Sequence, residues 1–136
     1  MSNSSYHHGN LRNALIEAGI EMINEAGEEN LSLRKVAARC GVSNAAPYAH
    51  FSGKEEMIEE MQNYVTEKFM DSLKSAASQC ENPYSEERVL KIGRAYILFF
   101  LHNPKYFSFL FAQPCMKVNL SLDGDGKDNF LPYQYF

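Results

Sequence analysis

Long apolar runs are missing from this chain: none approaches the roughly 18 residues that a membrane-spanning helix needs. The longest apolar stretch, Tyr96 to Leu101, has the length of a helix core. The first ten residues are polar and carry no apolar signal segment, which places the expected protein in the cytoplasm. Cysteine is scarce. The three cysteines, Cys40, Cys80 and Cys115, are odd in number and widely spaced, which fits reduced thiols in a reducing compartment better than a disulfide framework. No Cys-x-x-Cys pair is present, which argues against structural zinc. Also absent are a Gly-rich phosphate loop, a G-x-S-x-G elbow and a His-Glu-x-x-His pair. The chain therefore reads as a non-enzyme, with no cofactor and no metal expected. Alternating strand patterns and internal repeats are absent as well.

The most informative absence is local. The net charge of -4 seems to discourage nucleic-acid binding, yet Asn30 to Lys54 contains no Asp or Glu. Its basic residues are Arg34, Lys35, Arg39 and Lys54, and an acidic block of Glu55, Glu56, Glu59 and Glu60 follows directly. Phosphates respond to the local field rather than to the charge of the whole chain.

What is present is helical periodicity. A first helix is expected from about Asn10 to Ala26, with Leu11, Leu15, Ala18, Met22 and Ala26 along one stripe. Gly27 would stop it through a left-handed cap. Ser32 can cap a short helix that carries Leu33, Val36, Ala37 and Cys40 and ends at Gly41. Ser43 can cap a second short helix, from about Asn44 to His50, with Pro47 in its first turn. Two short helices joined by a tight Gly-containing turn form a helix-turn-helix unit. Ser52-Gly-Lys-Glu55 has the capping-box pattern and opens a long helix reaching toward Gln79. Met57, Met61, Tyr64, Val65, Phe69, Leu73, Ala76 and Cys80 keep helical spacing along it. After Asn82-Pro83, Ser85 starts another helix with Val89, Leu90, Gly93, Tyr96, Ile97, Phe100 and Leu101 as its apolar residues. Asn103-Pro104 opens a last, strongly aromatic segment.

In a helix-turn-helix the first helix crosses the DNA backbone and the second lies in the major groove. The leading face of the second helix, Asn44-Ala45-Ala46, is small enough for close approach. Asn44 can hydrogen-bond a base edge, and an Ala methyl can pack on a thymine methyl. Tyr48 and His50 are long enough to reach flanking phosphates. Lys54 stands at a helix start, where free amides and the dipole also favour an anion. Arg34 can reach a guanine edge or a phosphate.

This stretch and the helix before it resemble the TetR family of bacterial repressors. The likeness covers roughly Tyr6 to Phe69. It rests on Leu31-Ser-Leu-Arg-x-Val-Ala37, Gly41-Val-Ser43, Pro47-Tyr-x-His-Phe51 and Lys54-Glu-Glu-Met57. The resemblance implies an all-α protein with a three-helix DNA-binding domain followed by a helical ligand-binding and dimerisation domain. It places the arm at residues 1–9, the DNA-binding domain at 10–69 with its motif at 32–51, and the first part of the regulatory domain at 70–136. It implies DNA contacts at Ser32, Arg34, Ser43, Asn44, Ala45, Ala46, Tyr48, His50 and Lys54. It further implies a homodimer on near-palindromic double-stranded DNA, released by a small effector. Members of the family usually run well past this length, so the chain is expected to be a truncated form or to lack the dimerisation helices. The competing expectations are a truncated helical interaction module and a ligand carrier without a switch.

Several features have plainer readings. Tyr48 is a phosphate contact or a buried aromatic; His50 contacts DNA or only packs against the next helix; Phe51 reads as core. Tyr96, Phe99, Phe100, Tyr106, Phe107, Phe109 and Phe111 form a core or, for Tyr96, Phe100, Phe107 and Phe111, the wall of a pocket for an apolar or aromatic effector. His7 and His8 suit an arm near DNA better than a metal site. Cys40 lies on the apolar side of its helix and reads as a structural thiol rather than a redox sensor. The run Asp123 to Asp128 fails the spacing of a calcium loop and reads as a solvated turn.

Overall fold

The computed structural model describes the backbone of residues 4–111 and the side chains of residues 11–111. Cys115, the Asp123 to Asp128 run and the aromatic end of the chain lie outside the described residues, as do the side chains of His7 and His8. The described part is all-helical: α1 (Ser4–Ala26), α2 (Leu33–Arg39), α3 (Lys54–Ser78), α4 (Glu86–His102) and α5 (Pro104–Phe111). Single 3-10 turns occupy Glu28–Asn30 and Ala46–Ala49. None of the described helices is long and apolar enough to cross a membrane.

The local stop and start signals act as their chemistry demands. Gly27 takes a φ of 86° beyond the end of α1, a conformation open to glycine without a Cβ clash. Ser32 caps α2 by accepting the Lys35 N–H at 3.2 Å. At the far end, Gly41 (φ 67°) completes a Schellman motif: the Val42 amide bonds the Ala37 carbonyl at 3.0 Å, and the Gly41 amide bonds Ala38 at 3.2 Å. Ser85 caps α4 through the Arg88 N–H, and Pro104 stands in the first turn of α5, where its missing amide costs nothing.

Four expectations are corrected. The second helix of the motif, expected over Asn44 to His50, contracts to the 3-10 turn Ala46–Ala49. Pro47 disfavours a helical residue before it and supplies no amide, so the bonds run three residues back: Ala46 to Ser43, Tyr48 to Ala45 and His50 to Pro47. The capping box shifts by one position. Gly53 is the N-cap of α3 without a side-chain bond, and Glu56, rather than Glu55, receives the Ser52 N–H at 2.7 Å. In α1 the buried arc is Leu15, Ile16, Ala18, Ile20 and Ile23, whereas Ala26 is exposed and Leu11 and Met22 are half-buried. Neighbours on more than one side widen the arc, since α1 packs on α2, α3 and α5. In α4 the residues turned into the core are Ile92 and Phe100, while Val89, Leu90, Tyr96, Ile97 and Leu101 face outward.

One continuous core results. Met57, Met61, Val65, Phe69 and Leu73 of α3 form its spine, with α1 and α4 packed against α3, α2 against α1, and α5 against both α1 and α4. Gly19 lets α1 lie close on α3, because a Cβ there would meet the Met61 methyl at 2.1 Å.

Candidate nucleic-acid interface

The residues expected to meet DNA gather where α2, the Ala46–Ala49 turn and the start of α3 adjoin. Arg34, Ser43, Asn44, Ala45 and Tyr48 are exposed; Ser32, Ala46, His50 and Lys54 are half-buried. The turn is held from beneath by Pro47 and Phe51, both buried, so its outer residues are fixed by an apolar floor. Tyr48 is 61% exposed, which removes its reading as a buried aromatic. Phe51 is core, as its spacing indicated, and the Arg12 guanidinium lies over its ring at 5.7 Å.

The basic residues of this stretch are not equivalent. Arg39 donates two hydrogen bonds to Glu25, at 2.9 and 2.6 Å, so its charge is compensated within the fold. Lys35 donates to the Asn30 carbonyl at 3.0 Å. Arg34 and Lys54 make no ion pair among the described residues. The Ser32 hydroxyl is engaged in its cap bond, a structural role that a DNA contact would have to share. Ser43 contributes its carbonyl to the turn, and its expected side-chain cap is not formed: the N-cap of the turn is Ala45. At the start of α3, Glu56 accepts hydrogen bonds from Ser52, which hold its carboxyl below the usual glutamate range. That carboxylate takes an amide donor which an incoming phosphate would otherwise find free.

Cys40 is half-buried, with its thiol donating weakly to the Ala14 carbonyl at 3.6 Å. Burial pushes its pKa up against the lowering influence of Arg39, which keeps the thiol protonated and unreactive.

The four proposed effector residues are brought together. Phe100 is buried at the centre, with the Tyr96 ring at 5.5 Å and the Phe107 and Phe111 rings at 5.7 Å, all near edge-on. Phe69 from α3 closes the inner side at 5.1 Å. Tyr96, Phe107 and Phe111 remain exposed at the outer side.

A polar cluster that sequence reading did not single out joins the two halves. Glu17 of α1 accepts a hydrogen bond from Tyr64 of α3 at 2.8 Å and another from Tyr106 of α5. Lys105 pairs with it at 2.8 Å, while the Lys105 carbonyl receives the Asn24 amide at 2.9 Å. Burial raises the Glu17 pKa, but the bonds from Lys105, Tyr106 and Tyr64 outweigh it and leave the carboxyl below its ordinary value. Burial and the Glu17 carboxylate push Tyr64 up to about 12 and Tyr106 higher still. The one available signal was an acid set between buried positions, in Leu15-Ile16-Glu17-Ala18.

Comparison with known proteins agrees with this geometry. Residues 15–61 match the family described as bacterial regulatory proteins, tetR family. The chain is 37% identical over 49 residues to tetracycline repressor protein class A from transposon 1721 of Escherichia coli, covering 36% of this chain and 23% of that protein. The class D tetracycline repressor of Escherichia coli is 23% identical over 88 residues, covering 65% of this chain and 40% of the repressor. A TetR family transcription regulator from Marinobacter aquaeolei VT8 superposes with a TM-score of 0.69 at 21% identity, over 77% of this chain and 54% of that one. The matches thus span less than half of each repressor and about half of the solved regulator. Residues 15–61 are thus similar to the N-terminal unit of the TetR family of bacterial regulatory proteins.

Proposed function

We propose that this chain is a sequence-specific, DNA-binding transcription regulator of the cytoplasm. In this reading it acts as a homodimeric repressor on a near-palindromic operator and is released by a small apolar or aromatic effector. The observation that carries the DNA-binding part is the exposure of Tyr48 on a rigid turn, beside exposed Asn44 and Ala45, on a surface free of acidic residues from Asn30 to Lys54. Leaving a tyrosine ring in water costs burial that the core would otherwise gain, and a partner surface restores it.

The parts divide by chemistry. Asn44 and the methyl groups of Ala45 and Ala46 face base edges; Arg34, Tyr48, His50 and Lys54 hold phosphates and set the register. Ser32 and Ser43 add contacts at the ends of the turn. The repressor reading draws support from the names of the curated relatives. The effector reading draws support from the Tyr96, Phe100, Phe107 and Phe111 cluster on α4 and α5.

A mobility-shift titration on genomic fragments at several salt concentrations tests the proposal. Binding should be selective for one inverted repeat and should weaken steeply with salt. Absence of any sequence preference at low salt sinks it.

A further inference from the structure

Between Ser43 and Ala49 the motif carries no charge of either sign. Its outward surface is made largely of methyl groups: Ala45 and Ala49 are exposed, and Ala46 is half-buried next to the buried Pro47. The Asn44 amide and the Tyr48 ring, both exposed, stand among them. Ala49 carries no signal in the sequence, since an alanine there suits a core position equally well; its exposure puts it on this surface. A 3-10 turn stacks residues three apart, so the Ala49 methyl lies on the same side as that of Ala46. From Ala46 to Ala49 the turn advances about 6 Å at about 2.0 Å per residue, close to two base-pair steps of about 3.4 Å.

We infer that this turn reads a run of about three consecutive A·T pairs and rejects G·C pairs at those positions. The inference rests on the DNA-binding reading above and adds the bases that the site selects. Guanine shows the acceptors O6 and N7 in the major groove and is matched by Arg or Lys, while the cytosine amino group is matched by Asp or Glu. The turn holds neither kind, and no acid stands anywhere from Asn30 to Lys54.

The cations of that stretch are placed elsewhere. Arg39 is paired with Glu25, and Lys35 donates to the Asn30 carbonyl. Arg34 belongs to α2 and Lys54 to the first turn of α3. A G·C pair set against the alanines would lose water from its polar edge with no hydrogen bond in return. An A·T pair meets both chemistries present. The Asn44 amide matches adenine N6 and N7 as a bidentate pair, and the thymine C5-methyl packs on an alanine methyl. One amide thus fixes an adenine, and the methyls of Ala45, Ala46 and Ala49 recognise thymines.

The test is selection of sites from random-sequence DNA duplexes by the full chain at low salt, followed by base analogues in the selected site. Expected is enrichment of a core of about three consecutive A·T pairs, with binding weakened about fourfold for each core thymine replaced by uracil, which lacks the methyl. Replacing the core adenine by 7-deazaadenine, which lacks N7, should weaken the unaltered chain about fivefold and Asn44→Ala far less. A chain with Ala45→Gly and Ala49→Gly should lose most of the preference for thymine over uracil, an effect that reduced stability alone does not produce because it lowers both affinities together. Enrichment of G·C pairs in the core, or equal binding of thymine and uracil sites by the unaltered chain, overturns the inference and leaves DNA binding standing. Enrichment of no sequence at all overturns the DNA-binding reading and this inference with it.

Discussion

Tyr48, Lys54 and Asn44 all belong to the proposed DNA surface, and the physics of phosphate and base contacts assigns them different signatures. A phosphate contact carries no sequence information, so Lys54→Ala should weaken binding similarly on all sequences and flatten the salt slope by about one. Tyr48→Ala should likewise lose affinity without changing the preferred site. Asn44→Ala should instead relax selectivity at one base pair, by about 1–3 kcal/mol. Titrating the three variants against matched and mismatched operators at two salt concentrations separates these outcomes. Asn44 losing affinity uniformly would reassign it to the backbone. Arg39 offers an internal contrast. Its guanidinium is already paired with Glu25, so Arg39→Ala should change the salt slope far less than Lys54→Ala.

At the scale of the element, the short motif depends on how α2 ends. Gly41 is exposed and a Cβ there would touch nothing, so steric crowding is not what selects glycine. Its φ of 67° is, and Gly41→Ala should cost about 1–2 kcal/mol, seen as a lower urea midpoint at unchanged slope. Ser32→Ala removes the only side-chain cap on α2 and should cost about 1 kcal/mol. The α3–α4 seam is less forgiving. Phe69 is fully buried against the rings of Tyr96, Phe99 and Phe100, and Phe69→Ala should cost about 3–5 kcal/mol. A loss below 1 kcal/mol in denaturant titration would mean that this ring cluster does not organise the second half of the fold.

For the molecule as a whole, Glu17 is the junction, tying the helix-turn-helix side to α5 through Tyr64, Lys105 and Tyr106. Removing it with Glu17→Ala leaves two tyrosine hydroxyls without their acceptor and should cost about 1–3 kcal/mol. The same group gives a pH signature. Its folded carboxyl titrates below its unfolded value, so the folded state binds fewer protons there. The stabilisation is therefore complete above about pH 4.3 and is lost as pH falls through the folded value. Below about pH 4.3, Glu17→Gln should flatten the acid limb of a stability-against-pH curve that the unaltered chain shows. Identical acid limbs would remove Glu17 from that role.

Sequence alone determined the helices and the place of the motif, because the signals that bound them are local. Gly27 and Gly41 tolerate a left-handed φ, Ser32 and Ser85 reach amides three residues on, and Pro104 cannot continue a helix. Each acts within one turn and needs no knowledge of the rest of the chain. Tertiary structure decided what those helices face. The wide buried arc of α1, the outward turn of Val89, Leu90 and Ile97, and the Glu17 cluster depend on residues far apart in sequence. No periodicity records which of two apolar stripes a neighbour will choose. The turn at Ala46–Ala49 stands between the two cases. Pro47 marked a weak point that sequence could see, but the contraction to a single 3-10 turn, with Tyr48 left outward over a buried Phe51, was settled by packing.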